Sequence, residues 1–272
     1  MKIQFRNEYI TVFESQLFRT TTTVVQTDDL VLLVDPNWLP TEIDFLQNYI
    51  AKILNNRTLY LLFTHSDYDH IIGYQAFKGA KTIASDAFIK NKEKEAILLQ
   101  INQFDHDFYL KRNYAISYPE IDILVKKDGQ QLSIGKTKMT FYLAPGHNAD
   151  GIFTIIENVN CWIAGDYLSN IEFPFIYYSS LSYEMTLDKA DYILKNHKIE
   201  LLISGHGDCT SQLDEIKKRR DESIQYIQTL RKSIQTNKPF NEATLWEKYA
   251  FPLLQKKYHQ ANIDLIKKEL GK

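Results

Sequence analysis

Apolar residues along this chain fall mostly into short runs closed by turn residues, a strand signature, broken by stretches with helical spacing. Ile10–Phe13 and Leu17–Gln26 predict strands, the second rich in β-branched residues, and Leu30–Val34 predicts a buried strand closed by Asp35-Pro36. Thr41 is the expected cap of a helix to about Leu54, with Ile43, Leu46, Ile50 and Ile53 at helical spacing. The apolar run Leu59–Phe63 is followed by a polar loop and a short helix, then by a strand at Lys81–Ala84. Ser85-Asp86 opens a long helical stretch to about Leu110. Strands resume at Ile121–Val125, Gln131–Ile134, Lys138–Leu143, Gly151–Glu157 and Cys161–Ala164. Leu187, Ala190, Ile193 and Leu194 mark an amphipathic helix, and Glu200–Ile203 a last buried strand. Ser211 is the expected cap of a long helix through Leu230, which Asn237-Lys238-Pro239 breaks before a polar helical tail.

Strands followed by an inserted helix, more strands and terminal helices predict an α/β protein. Two mixed β-sheets with helices outside, a four-layer αββα sandwich, accommodate this order. The expected organisation is one domain over residues 1–236, with a helical insertion at about 86–118. A helical extension, 237–272, is expected to pack on the same domain. No internal repeat or low-complexity tract is present.

Composition narrows the function classes. Hydrophobic residues make up 44% and charged residues 24% of 272, ordinary for a globular enzyme with a full core. A net charge of −2 argues against a nucleic-acid binder, which needs a basic face. Lys217-Lys218-Arg219-Arg220 is flanked by Asp214, Glu215, Asp221 and Glu222, which predicts a solvated, self-neutralised helix face. The opening MKIQFRNEYI lacks a signal-peptide core, and no apolar stretch approaches membrane-spanning length. Cys161 and Cys209 suggest no disulfide framework, so a cytoplasmic location without membrane partners is expected.

The chemistry sits at strand ends. After Leu59–Phe63 come His65, Asp67, Asp69 and His70, four ligand-type residues in a loop before a helix. Alternate residues of an extended loop face one side, so these groups can converge on an ion. The competing reading is a polar loop whose carboxylates cap the helix. Lys138–Leu143 likewise runs into Ala144-Pro145-Gly146-His147, Cys161–Ala164 into Gly165-Asp166, and Glu200–Ile203 into Ser204-Gly205-His206. Imidazole nitrogen with carboxylate oxygen suits zinc, iron or manganese. His106, between Asp105 and Asp107, is a weaker candidate and is better explained as a surface helix residue, as are His197 and His259.

Together, THSDYDH at Thr64–His70, PGH at Pro145–His147, GD at Gly165–Asp166 and GHG at Gly205–Gly207 resemble the metallo-β-lactamase fold superfamily. The resemblance covers roughly Ile10–Thr236. It implies a site for one or two metal ions at one edge of the sheets. Carried over position by position, it places His65 and His147 on a first metal. It places Asp69, His70 and His206 on a second, with Asp166 bridging. Asp35 matches a position that supports the ligand loop in the family, while the plain alternative is an aspartate that turns the strand.

The family loop usually reads His-x-His-x-Asp-His, and here Asp67 replaces the second histidine. Asp67 can coordinate directly, favouring iron or manganese, bind through water, or fall short. The leading expectation is hydrolysis of an ester, lactone, thioester or phosphodiester by a metal-bound hydroxide on two divalent ions. Zinc is the first choice of metal and iron or manganese the alternatives. A bound ion lowers the pKa of its water from about 15.7 to about 7, and Asp69 can orient the nucleophile. The rival is a non-haem iron oxygenase or oxidoreductase of the same fold, because His65, His147 and Asp166 form a two-histidine, one-carboxylate set. A non-catalytic ligand-binding protein is a third reading. The substrate is expected to be a small molecule, and the aromatic segment 173–183 either walls its pocket or packs the inserted helix onto the sandwich.

Overall fold

A computed structural model describes residues 1–249 and 251–272. Seven strands form the first sheet in sequence order: β1 (Lys2–Arg6), β2 (Ile10–Glu14), β3 (Thr21–Gln26), β4 (Leu30–Val34), β5 (Thr58–Leu62), β6 (Lys81–Ser85) and β7 (Ile123–Val125). Pairing is antiparallel from β1 to β4 and parallel from β4 to β7. The second sheet runs β12 (Leu201–Ile203), β11 (Cys161–Ile163), β10 (Ile152–Ile156), β9 (Thr137–Leu143) and β8 (Gln130–Ile134). Only β11 and β12 are parallel there, so both sheets are mixed.

Helices cover the outer faces: α1 (Pro40–Leu54), α2 (Tyr68–Ile71), α3 (Asp86–Ile89) and α4 (Lys94–Asp107) belong to the first half of the chain. The second half supplies α5 (Ser180–Asn196), α6 (Leu213–Thr236), α7 (Ala243–Lys248) and α8 (Pro252–Glu269). Strands β2, β4, β10, β11 and β12 are buried on both faces, which is why they read as largely apolar runs rather than alternating ones. Along β4, Leu30, Leu32 and Val34 point into the core between the sheets with Phe141, Ile163 and Ile203. Val31 and Leu33 point the other way, under Ile43, Leu46 and Ile50 of α1. On the far side Phe153, Trp162 and Leu202 meet Leu187, Ile227 and Ile266 of α5, α6 and α8. Three apolar layers between four structural layers make the expected αββα sandwich.

Some boundaries differ from expectation. Strand β1 pairs through the backbone with β2 although its own side chains are mostly half-exposed or exposed, so it carries no apolar run to reveal it. Thr41 does not cap α1; Leu39 is the N-cap residue, and Glu42 reaches back to the Leu39 N–H. Ser211 does not cap α6, which starts after Gln212 without a side-chain cap. The long helix expected from Ser85 is two, α3 and α4, divided at Lys90–Glu93. The basic run of α6 is not simply solvated: Arg219 is buried and donates to the Leu168 and Asp208 carbonyls.

Helix α8 is tied to the segment after β11. Asn262 accepts from Ile176 N–H at 2.9 Å and donates to Pro174 O at 2.6 Å and Tyr226 Oη at 2.9 Å. Gln255 donates to Ile171 O at 2.7 Å. Asn262→Ala leaves these buried groups without partners, and we expect a loss of about 2–4 kcal/mol. Thermal denaturation should show it as a Tm lower by about 2–4 °C per kcal/mol.

Candidate metal centre

The carboxyl ends of β4, β5, β9, β11 and β12 open at one edge of the sandwich, the place where α/β sheets bind ligands. Backbone bonds lock the two sheets together there: Ile152 N–H donates to Thr64 O at 2.8 Å and Thr21 N–H to Gly205 O at 2.7 Å. Gly205 N–H donates to Gly165 O at 2.6 Å. Gly205 has no room for a side chain, because a Cβ would collide with Asp166 Oδ1.

At this edge all seven expected ligands converge in two groups, His65, Asp67, His147 and Asp166 in one, Asp69, His70 and His206 in the other. Within each group the ligand atoms lie within 4.8 Å of one another. Asp166 joins the groups. Its Oδ2 lies 3.6 Å from His65 Nε2, 3.3 Å from His147 Nε2 and 3.3 Å from His206 Nε2, and its Oδ1 lies 3.1 Å from His70 Nε2. Asp67 Oδ2 is 3.1 Å from His147 Nε2 and 3.6 Å from His65 Nε2. Asp69 Oδ2 is 3.3 Å from His70 Nε2 and 3.5 Å from His206 Nε2.

The opposite ring nitrogens define the tautomers. His147 Nδ1–H donates to Phe175 O at 2.7 Å and His206 Nδ1–H to Phe18 O at 3.0 Å, since a carbonyl can only accept. His70 Nδ1–H donates to Asp35 Oδ2 at 2.9 Å. Thr64 Oγ1 gives its proton to Asp35 Oδ2 at 2.6 Å, so it accepts from His65 Nδ1–H at 2.9 Å. All four Nε2 atoms therefore turn lone pairs toward three carboxylates. His65 Nε2, His70 Nε2 and Asp166 Oδ1 are buried and have no hydrogen-bond partner among the described residues. Lone pairs facing lone pairs repel unless a cation lies between them, so the residues fit divalent metal.

Electrostatics agrees. Burial opposes ionisation of Asp166, but the imidazoles of His70, His206 and His65 hold its carboxyl well below the usual range. Burial pushes Asp67 up too, and His147 and His65, when protonated, outweigh it and lower it. Burial lowers His147, yet Asp166 and Asp67 raise it to about 10. His70 and His206 are likewise raised well above the ordinary value, burial being outweighed chiefly by Asp166. The pocket calls for positive charge, supplied by protons or by metal.

Residues 16–223 match the family model of the metallo-beta-lactamase superfamily. The chain belongs to that superfamily. Members bind divalent metal and are mostly metal-dependent hydrolases, and oxidoreductases share the fold. Among solved structures it is similar to a double mutant of the sec-alkyl sulfatase PisA1, with TM-score 0.71 and 12% identity over 98% of this chain and 49% of that one. The chain thus spans about half the length of that sulfatase. It is also similar to the BLEG-1 B3 metallo-beta-lactamase, with TM-score 0.57 and 18% identity over 79% and 97% of the two chains. ETHE1 from Myxococcus xanthus gives TM-score 0.54 and 18% identity over 81% and 90%. Identities this low show the shared metallo-beta-lactamase fold alone. No curated protein matches the sequence.

Against this superfamily pattern, the other candidates separate cleanly. Asp35 is a supporting residue, holding His70 and Thr64 from behind. His106 is exposed on α4, in neither group. His197 and His259 are not surface residues: His197 is bonded to Tyr142 and Glu157, and His259 is buried against Tyr226. Cys209 is half-buried, its thiol pushed up to about 11 by burial, and it joins neither group.

The aromatic segment packs against α8 rather than the inserted helices. Phe175 stacks on Tyr258 at 4.1 Å, and both line the cleft over the ligands with Tyr177, Tyr68 and Trp38. Glu172, unnoticed in the sequence, also lines this cleft, and burial pushes its carboxyl up to about 7. Only its place after Asp166 in an aromatic stretch could have signalled it.

Asp35→Asn removes the acceptor that orients His70. We expect divalent-metal affinity to fall on the order of 10–100-fold while the fold is retained, measured by competition with a chromogenic chelator.

Proposed function

We propose that the chain is a metal-dependent hydrolase with a two-ion centre. His65, Asp67 and His147 would hold one ion and Asp69, His70 and His206 the other, with Asp166 within reach of both groups. One observation carries this reading. The second group is built as fully as the first, with its own outward hydrogen bonds from His70 to Asp35 and from His206 to Phe18 O. A mononuclear iron oxygenase needs only His65, His147 and Asp166 and gives no reason for that second half.

Bound divalent ions, zinc by preference, would supply a Lewis acid and an acidified water at neutral pH. The chain's own residues do the rest. Asn148 Nδ2 donates to Asp67 Oδ1, leaving Oδ2 turned to His147, which favours direct coordination by Asp67 over the two weaker alternatives. Asp69 Oδ2 sits between His70 and His206 and is placed to accept a proton from the attacking nucleophile. Glu172, on the wall of the same cleft, is placed to hold a proton near neutral pH for a departing oxygen. Trp38, Tyr177 and Tyr258 limit water over the ligands and leave about 50 Å³ there, which suits a small-molecule substrate. Within that class the preferred substrates are carboxylic esters, lactones and thioesters. Phosphodiesters are an alternative, and the fold shared with a sec-alkyl sulfatase adds sulfate esters. We place its action in the cytoplasm.

Zinc-loaded protein should turn over at least one member of a panel of 4-nitrophenyl esters, lactones, thioesters, sulfate esters and phosphodiesters. His147→Ala should lower kcat/KM at least about 10²-fold, an interaction worth several kcal/mol in the transition state. Oxygen uptake with a thiol by iron-loaded protein, without ester turnover, would favour the oxygenase instead.

A further inference from the structure

The metal cleft is one end of a larger space. A groove of about 1120 Å³ runs away from it between α3 and α4 on one side and α8 on the other. Four residues, Asp67, Tyr68, Tyr177 and Tyr258, line both spaces, so the groove opens onto the ligands through a collar of three tyrosines. The collar rings are held in place: Tyr177 lies 4.9 Å from the His147 ring and 6.2 Å from Tyr258, and Tyr68 packs edge-on to Trp38 at 5.2 Å. A flat or unbranched apolar body fits such an opening, and only part of a molecule engaged at the ligands can remain outside it.

The charges along the groove are unevenly committed. Lys90 pairs with Asp86. Asp150 lies buried in the floor, where Ser66 N–H and Asn91 Nδ2 donate to it, and Asp67 is turned toward the histidines. That leaves Glu93 against Lys92, Lys126 and Lys257, and these three exposed lysines form no ion pair among the described residues. They come from three separate elements, the break between α3 and α4, the end of β7, and α8, yet all line this one groove. Unpaired cations brought together from distant parts of the chain make a groove that attracts negative charge.

We propose that the substrate has an apolar or aromatic body threading the tyrosine collar and an anionic group at the end remote from the scissile bond, held by Lys92, Lys126 and Lys257. This rests on the two-ion reading, which places the reacting bond at Asp166.

Two fluorescent probes with the same aromatic body test it on the metal-loaded 272-residue chain: 1-anilinonaphthalene-8-sulfonate, which is anionic, and N-phenyl-1-naphthylamine, which is neutral. The anionic probe should bind at least about tenfold more tightly, and Lys92→Ala, Lys126→Ala and Lys257→Ala should each weaken it about threefold. The neutral probe should be unaffected by these changes, and Lys217→Ala, on the exposed face of α6, should change neither. Tyr177→Ala should weaken both probes. Equal affinity for the two probes, or anionic binding that ignores the three lysines, would overturn the proposal. Probe binding needs no turnover, so the substrate inference and the hydrolase reading can fail independently.

Discussion

Everything at the functional edge depends on one buried carboxylate. Asp166 lies within 3.6 Å of four imidazole nitrogens contributed by three other strand ends. Taking an ionised carboxylate out of water costs several kcal/mol unless its charge is matched. Asp67 and Asp69 add two more carboxylates on either side, and Asp35 a further one behind His70. Neutral imidazoles do not compensate this charge, because their Nδ1 protons are committed outward and their Nε2 lone pairs face the carboxylates. A bound cation would resolve the conflict, and the local backbone leaves room for one beside Asp166. Gly205 gives up its side chain to let the chain pass beside Asp166, and Arg219 clamps the carbonyls of Leu168 and Asp208 that flank the two loops.

The strand cores and most of the candidate ligands were legible in the sequence because both follow from local rules. Strands buried on two faces are largely apolar or β-branched, and a ligand loop breaks that run with a small residue and a polar one. Asp67 was legible as a departure but not in its role, since its orientation depends on Asn148 from another strand end. Supporting contacts were largely hidden. Phe18 and Phe175 orient His206 and His147 through their backbone carbonyls, so nothing in their side chains announces it. Arg219 looked like one charge in a solvated run, and only tertiary contact shows it buried. His259 was hidden for the same reason, its neighbours Phe173, Tyr226 and Trp246 arriving from separate segments.

The last helix links the stability of the fold to the walls of the cleft. Its buried face, through Gln255 and Asn262, fixes the segment that supplies Phe175 and Glu172. Its other residues, Leu254, Lys257 and Tyr258, line the metal cleft and the groove beyond. The likeness to the sec-alkyl sulfatase extends over 98% of the chain and so takes in this helix, whereas that to the B3 enzyme covers 79%. The walls of the cleft and the groove are thus built largely from residues outside the ligand motifs.

The most direct test is metal content and identity by inductively coupled plasma mass spectrometry on protein purified without added metal, before and after reconstitution. Two equivalents of one divalent metal, falling to one or fewer in Asp166→Ala, is the result expected of a shared carboxylate. Protein that stays empty after reconstitution, or that binds one ion with Asp69, His70 and His206 dispensable, would contradict the two-ion account.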